Sequence, residues 1–191
     1  MKKRTDPQKG FKVAEETIPN PGFSLPDQLF PYLKRFAVSV YEKLSVPNPG
    51  EPEEQLRTPF EKLFDAYARI ISSPLKIVGE KILHERLGKP DFAIYKDRAI
   101  VGYIELKAPG KGANPDSFKG HDREQWIRFR EVPNIIYTDG NEWTLYQTGE
   151  LVGKRLRLQD DIQTARADAG ADAVNEEDAR FLFEIFAGFS S

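Results

Sequence analysis

Apolar residues recur at three- and four-residue spacing in some stretches of this chain and at alternate positions in others. Leu29, Phe30, Leu33, Phe36, Ala37, Val40, Tyr41 and Leu44 share one helical face. Ser24 and Asp27 have capping-box spacing and Pro26 suits a first turn, so a helix is expected from Ser24 until Pro47-Asn48-Pro49-Gly50. A second helix is expected from about Pro52 to Ile71, with Leu56, Phe60, Leu63, Phe64, Tyr67, Ile70 and Ile71 inward. After Ser73-Pro74, Leu75 to Leu83 reads as a strand. Phe92 and Ile94 alternate with Ala93 and Tyr95, Lys96-Asp97-Arg98 make a polar turn, and Ala99 to Ala108 reads as a strand apolar enough to be buried on both faces. Pro109-Gly110 stops it.

Beyond that hairpin the pattern predicts a flexible loop from Gly110 to Asn114. A helix from about Pro115 to Arg130 follows, with Phe118, Trp126 and Phe129 on its apolar side. Asn134 to Thr138 is a short strand, Asp139-Gly140 a turn, Glu142 to Gln147 a returning strand, and Leu151 to Leu158 an edge strand. Gln159 to Asn175 is a polar loop or weak helix. Glu176 to Phe189 is a last helix, with Phe181, Leu182, Ile185, Phe186 and Phe189 on its stripe. A helix crossing over between two strands makes them parallel, so the expected architecture is α/β: three layers, a mixed central sheet flanked by helices. Residues 1–23 read as a polar arm. Residues 24–191 read as the folded domain: N-terminal helices (24–72), sheet and helix (73–158), and acidic loop with final helix (159–191).

The predicted hairpin carries charges where apolar residues belong. Glu105 and Lys107 are two apart on a strand and project together, while Leu106 points the other way. Burying unpaired charge is expensive. Hairpin pairing returns Asp91, at the start of the first strand, beside Glu105. Two carboxylates about 4 Å apart repel by roughly 4 kcal/mol at an effective dielectric of 20. A divalent cation between them reverses that repulsion, and hard oxygen ligands suit Mg²⁺ or Mn²⁺.

Pro90-Asp91, a spacer and Glu105-Leu106-Lys107 resemble the PD-(D/E)xK signature of the restriction-endonuclease-like nucleases. The wider text, Gly88-Lys89-Pro90-Asp91-Phe92 and then Val101 to Gly110, resembles the N-terminal nuclease domain of type IIG and type ISP single-chain restriction–modification enzymes. The resemblance implies the restriction-endonuclease-like fold and Mg²⁺-dependent hydrolysis of DNA, with Mn²⁺ able to substitute. Asp91, Glu105 and the backbone carbonyl of Leu106 would hold the metal, and Lys107 would orient water or stabilise the transition state. It places an acidic residue four before an arginine, which maps to Glu53 ahead of Arg57, with Glu54 or Glu61 as alternatives; acidic residues in a first turn also complement the helix dipole. Gln125 and Phe129 resemble a Gln-xxx-Tyr motif of part of the superfamily, with Phe129 lacking the tyrosine hydroxyl. The resemblance further implies, as partner, a methyltransferase and target-recognition region of one larger enzyme. The alternative is a non-catalytic nucleic-acid-binding or partner-docking module that keeps the nuclease fold.

Composition narrows the chemistry. The 191 residues include no cysteine and two histidines, which excludes disulfides, thiolate chemistry and histidine-rich metal sites. No apolar run has membrane-spanning length, no signal-peptide core follows Met1, and a cytoplasmic location is expected. Net charge is −2, but its distribution is uneven. Arg86 to Arg130 holds ten Lys/Arg against six Asp/Glu, whereas Gln159 to Ser191 holds two against eight. The basic stretch coincides with the candidate site, where phosphates would lie.

Overall fold

The computed structural model describes residues 22, 24–47, 50–79, 88–162 and 172–190. The expected N-terminal arm other than Gly22, the end of the Leu75–Leu83 strand and the middle of the polar stretch after Gln159 lie outside the described residues.

Helix α1 (Leu25–Leu44) starts at Ser24, whose hydroxyl accepts the Asp27 N–H at 3.4 Å. The Asp27 carboxylate does not close the box on the backbone. It accepts the Ser24 hydroxyl at 2.6 Å and pairs with Arg180 of the last helix. The helix ends before the proline cluster, where the Ser45 N–H and hydroxyl both return to the Tyr41 carbonyl. Helix α2 (Glu54–Ile70) has Glu53 at its N-cap.

Six strands follow in sequence order across one sheet: β1 (Leu75–Gly79), β2 (Phe92–Lys96), β3 (Ala99–Leu106), β4 (Ile135–Thr138), β5 (Glu142–Gln147) and β6 (Glu150–Arg157). All neighbours are antiparallel except β3 and β4, which are parallel and joined through a 3-10 turn (Pro115–Ser117) and helix α3 (Gly120–Phe129). Helix α4 (Glu176–Ala187) closes the chain with a full capping box between Asn175 and Asp178. This is the three-layer, restriction-endonuclease-like α/β architecture.

The strand period sorts residues between two cores. Phe92, Ile94, Ile104, Leu106, Trp143 and Leu145 face α1, α2 and α4, around stacked Phe60 and Phe92 and edge-on Phe186. Ala93, Tyr103, Ile135 and Tyr137 face α3, with Phe118, Trp126 and Phe129. Gly102 lets β3 pass close to both Phe189 and Asn134, whose side chains a β-carbon would strike. Among the described residues no helix is long and apolar enough to cross a membrane.

Three expectations are corrected. The helix after the loop is shorter than Pro115 to Arg130: Asn114 caps a 3-10 turn, Phe118 is extended, and the α-helix begins at Gly120. Strand β3 is not buried on both faces throughout, because Ala99 and Ile100 are exposed and burial begins at Gly102. The Gly110 to Asn114 loop is anchored rather than flexible. Gly110 and Gly112 N–H groups donate to Asp139, the Ala113 N–H donates to Glu142, and the Ala113 carbonyl accepts the Thr144 hydroxyl.

Candidate active site

The β2–β3 register decides what meets Asp91. Lys96 pairs with Ala99 and Tyr95 with Ile100, but past an irregularity Ile94 pairs with Gly102 and Phe92 with Ile104. That one-residue bulge brings Asp91 opposite Glu105; a regular hairpin would set it opposite Ile104. The Leu106 N–H donates to Asp91 Oδ2 at 2.7 Å.

Glu105 and Lys107 project together beneath α3, only 5% and 3% exposed. Lys107 Nζ donates to Glu105 Oε1 at 2.9 Å, Asp122 Oδ1 at 2.9 Å and Gln125 Oε1 at 2.7 Å. Its three N–H bonds are therefore all used. Phe118 and Tyr137 form an aromatic shelf about the ammonium, 5.7 and 6.0 Å from their ring centres. Glu105 Oε2, by contrast, is buried without a hydrogen-bond partner, and so is the Tyr137 hydroxyl. Those two residues are register partners across β3 and β4.

The charges are unequally matched. Burial pushes the Glu105 carboxyl up to about 7, with Lys107 opposing and Asp91 adding. Burial pulls Lys107 down, but Glu105 and Asp122 outweigh it and hold the ammonium above its ordinary value. One pair thus has a securely charged lysine and a glutamate under electrostatic load. Burial also raises Asp91, against the Leu106 N–H and Arg57. Arg57 Nη1 donates to Asp91 Oδ1 at 2.6 Å and Nη2 to the Asp91 carbonyl at 3.1 Å, while the guanidinium lies 4.8 Å over the Phe92 ring.

Asp91, Glu105, Lys107 and Gln125 are therefore brought to one end of the β2–β3 hairpin. Glu53 stands on its rim. It is exposed by surface area, yet partial desolvation and the Asp91 charge raise its pKa, while Lys107 and Lys111 oppose that rise. Glu54 pairs with Arg57 at 3.6 Å, and its charge adds to the rise of the Asp91 carboxyl. Among the described residues no three His, Cys, Asp or Glu side chains are grouped to hold a metal ion.

Two neighbours were not singled out by the sequence. Asp122 joins Lys107 to Lys111, and its only sequence signal is position: it lies three before Gln125 and shares that helix face. Asp139, read as a turn residue, is buried. Its carboxylate accepts four backbone N–H groups, from Gly110, Gly112, Asn141 and Glu142.

No family model and no curated protein matches the chain. Among solved structures, a cryo-electron-microscopy structure of a DrdV–DNA complex superposes with a TM-score of 0.52 at 23% sequence identity. The match covers 74% of this chain and 13% of that one. At that identity the likeness is one of fold: this chain shares the layered arrangement of helices and mixed sheet found in a small part of a much longer protein.

Proposed function

We propose that this chain is a metal-dependent endonuclease that hydrolyses DNA phosphodiester bonds, serving as the cleavage part of a restriction–modification enzyme. The observation that carries this reading is the buried, unpartnered Glu105 Oε2, held beside Asp91 and Lys107 at one end of the sheet. A carboxylate oxygen in that position costs stability unless a cation or donor reaches it. Asp91, Glu105 and the Leu106 carbonyl would hold Mg²⁺, with Mn²⁺ able to replace it. A set of two carboxylates leaves places for water and phosphate oxygens, which suits Mg²⁺. When bound, such an ion neutralises phosphate charge and lowers the pKa of an attacking water.

The chain's own groups do the rest. Arg57 fixes Asp91 by both its carboxylate and its carbonyl. Gln125 and Asp122 hold the Lys107 ammonium charged beside Glu105. Exchange of one Lys107 N–H from these acceptors to a water or phosphate oxygen orients the nucleophile or offsets charge in the pentavalent transition state. Glu53, on the rim, is the candidate for a further acidic contribution. DNA as the substrate is supported by the fold shared with a protein solved on DNA and by the basic stretch around the site. A methyltransferase and target-recognition region as partner follows from the motif resemblance.

Supercoiled plasmid with Mg²⁺ or Mn²⁺ is expected to be nicked by the wild-type chain, and not by Lys107→Ala or in EDTA. Equal nicking by both proteins would sink the assignment.

A further inference from the structure

A second lysine reaches the same end of the sheet. Lys111 stands between Gly110 and Gly112, both left-handed at φ 85° and 78°. Glycine adopts that backbone freely, so the turn presents one long cationic side chain from an otherwise bare strip. Both glycine N–H groups donate to Asp139 Oδ2, at 3.1 and 2.7 Å, which ties the turn to the β4–β5 connection.

The Lys111 ammonium pairs with Asp122 Oδ2, while Asp122 Oδ1 accepts from Lys107 at 2.9 Å. Two ammonium groups therefore share one carboxylate. They differ in access: the Lys107 side chain is 4% exposed and the Lys111 side chain 43%. A polar cleft of about 610 Å³, lined in part by Gly110, Lys111 and Gly112, opens beside the turn.

The electrostatics favour a second, accessible cation there, beside the metal of the nuclease reading. Glu53, Asp91, Glu105 and Asp122 cluster at this end, and Arg57 and Lys107 are both committed to carboxylates. A phosphodiester approaching such a cluster is repelled, and an accessible ammonium offsets the repulsion at phosphates that the metal does not reach. Lys111 can leave at little cost. Its pair is partly exposed, and such pairs contribute little. Its departure also does not orphan Asp122, which keeps Lys107.

We propose that Lys111 is a DNA-backbone contact: its ammonium exchanges Asp122 for a phosphate oxygen of the strand next to the cleaved position. This rests on the nuclease reading above and adds a substrate-binding residue to it.

The test is the salt dependence of binding to a short DNA duplex in EDTA, followed by anisotropy for wild type, Lys111→Ala and Lys111→Arg. Loss of one phosphate contact is expected to reduce the slope of log K against log salt by about 0.9 in Lys111→Ala, whatever the DNA sequence. Lys111→Arg is expected to keep the wild-type slope. In plasmid nicking, the alanine variant is expected to raise KM more than it lowers kcat. An unchanged slope in Lys111→Ala overturns the proposal, even if affinity falls, because a structural role weakens binding without changing the number of phosphates neutralised. A wild-type chain with no salt-dependent DNA binding overturns the nuclease reading itself. A wild type that binds with normal salt dependence, beside an alanine variant of equal slope, overturns the Lys111 contact alone.

Discussion

Replacing Glu105 by glutamine removes one charge and keeps the shape. Burial sets the Glu105 carboxyl at about 7 in the fold against an ordinary 4.5. The folded state therefore binds more protons than the unfolded chain between those values, and stability falls as pH rises from about 4.5 to about 7. That gap corresponds to about 3 kcal/mol of stability missing at pH 8. Glu105→Gln removes this load, and Lys107 keeps Asp122 and Gln125. The amide brings buried polar atoms of its own, so the expected gain in EDTA at pH 8 is about 1–3 kcal/mol. For a domain of this size that raises Tm by about 2–12 °C. At pH 4.5 the advantage disappears. Adding Mg²⁺ should close or reverse the gap, since a ligand at a hundred times its Kd stabilises the wild type by about 2.7 kcal/mol and the variant lacks the charge to hold it. Thermal unfolding by circular dichroism across pH 4.5 to 8, with and without Mg²⁺, measures all of this. A variant less stable than wild type in EDTA at pH 8, or with the same pH slope, would refute the account of Glu105 as a loaded, cation-seeking carboxylate.

Gly102→Ala is expected to destabilise the fold by about 1–3 kcal/mol in urea unfolding, because the added carbon meets Phe189 and Asn134 inside the sheet. An effect within experimental error would mean the close approach at the bulge is not required. Asp139→Ala strips four backbone N–H groups of their acceptor and is expected to cost at least about 1–3 kcal/mol. Hydrogen exchange at Gly110 and Gly112 should accelerate far more than at Ile136 in mid-β4, and uniform acceleration would argue against a local anchor.

The strand and helix assignments were legible because they rest on local periodicity. Side chains two apart on a strand share a face whatever surrounds them, so Glu105 and Lys107 could be paired and set against Leu106 from their spacing alone. The helix crossing between β3 and β4 similarly implied a parallel pair. The Asp91–Glu105 pairing was legible only in part. Counting back from the turn leads near Glu105, but the exact partner depends on the bulge at Ile94–Tyr95, which the close packing of Gly102, Phe189 and Asn134 accompanies.

The sequence by itself determined the alternation that makes the hairpin, the apolar stripes that cover the sheet, and the improbable charges on β3. Tertiary structure alone decided which partners those charges have. Arg57 reaches Asp91 across 34 residues and Asp139 grips Gly112 across 27, while Asp122 links Lys107 to Lys111 from a helix on the other side of a loop. Periodicity is a property of neighbouring residues and survives in a one-dimensional reading. An ion pair depends on the folded distance between distant elements, and that distance exists only once the sheet and its helices have packed.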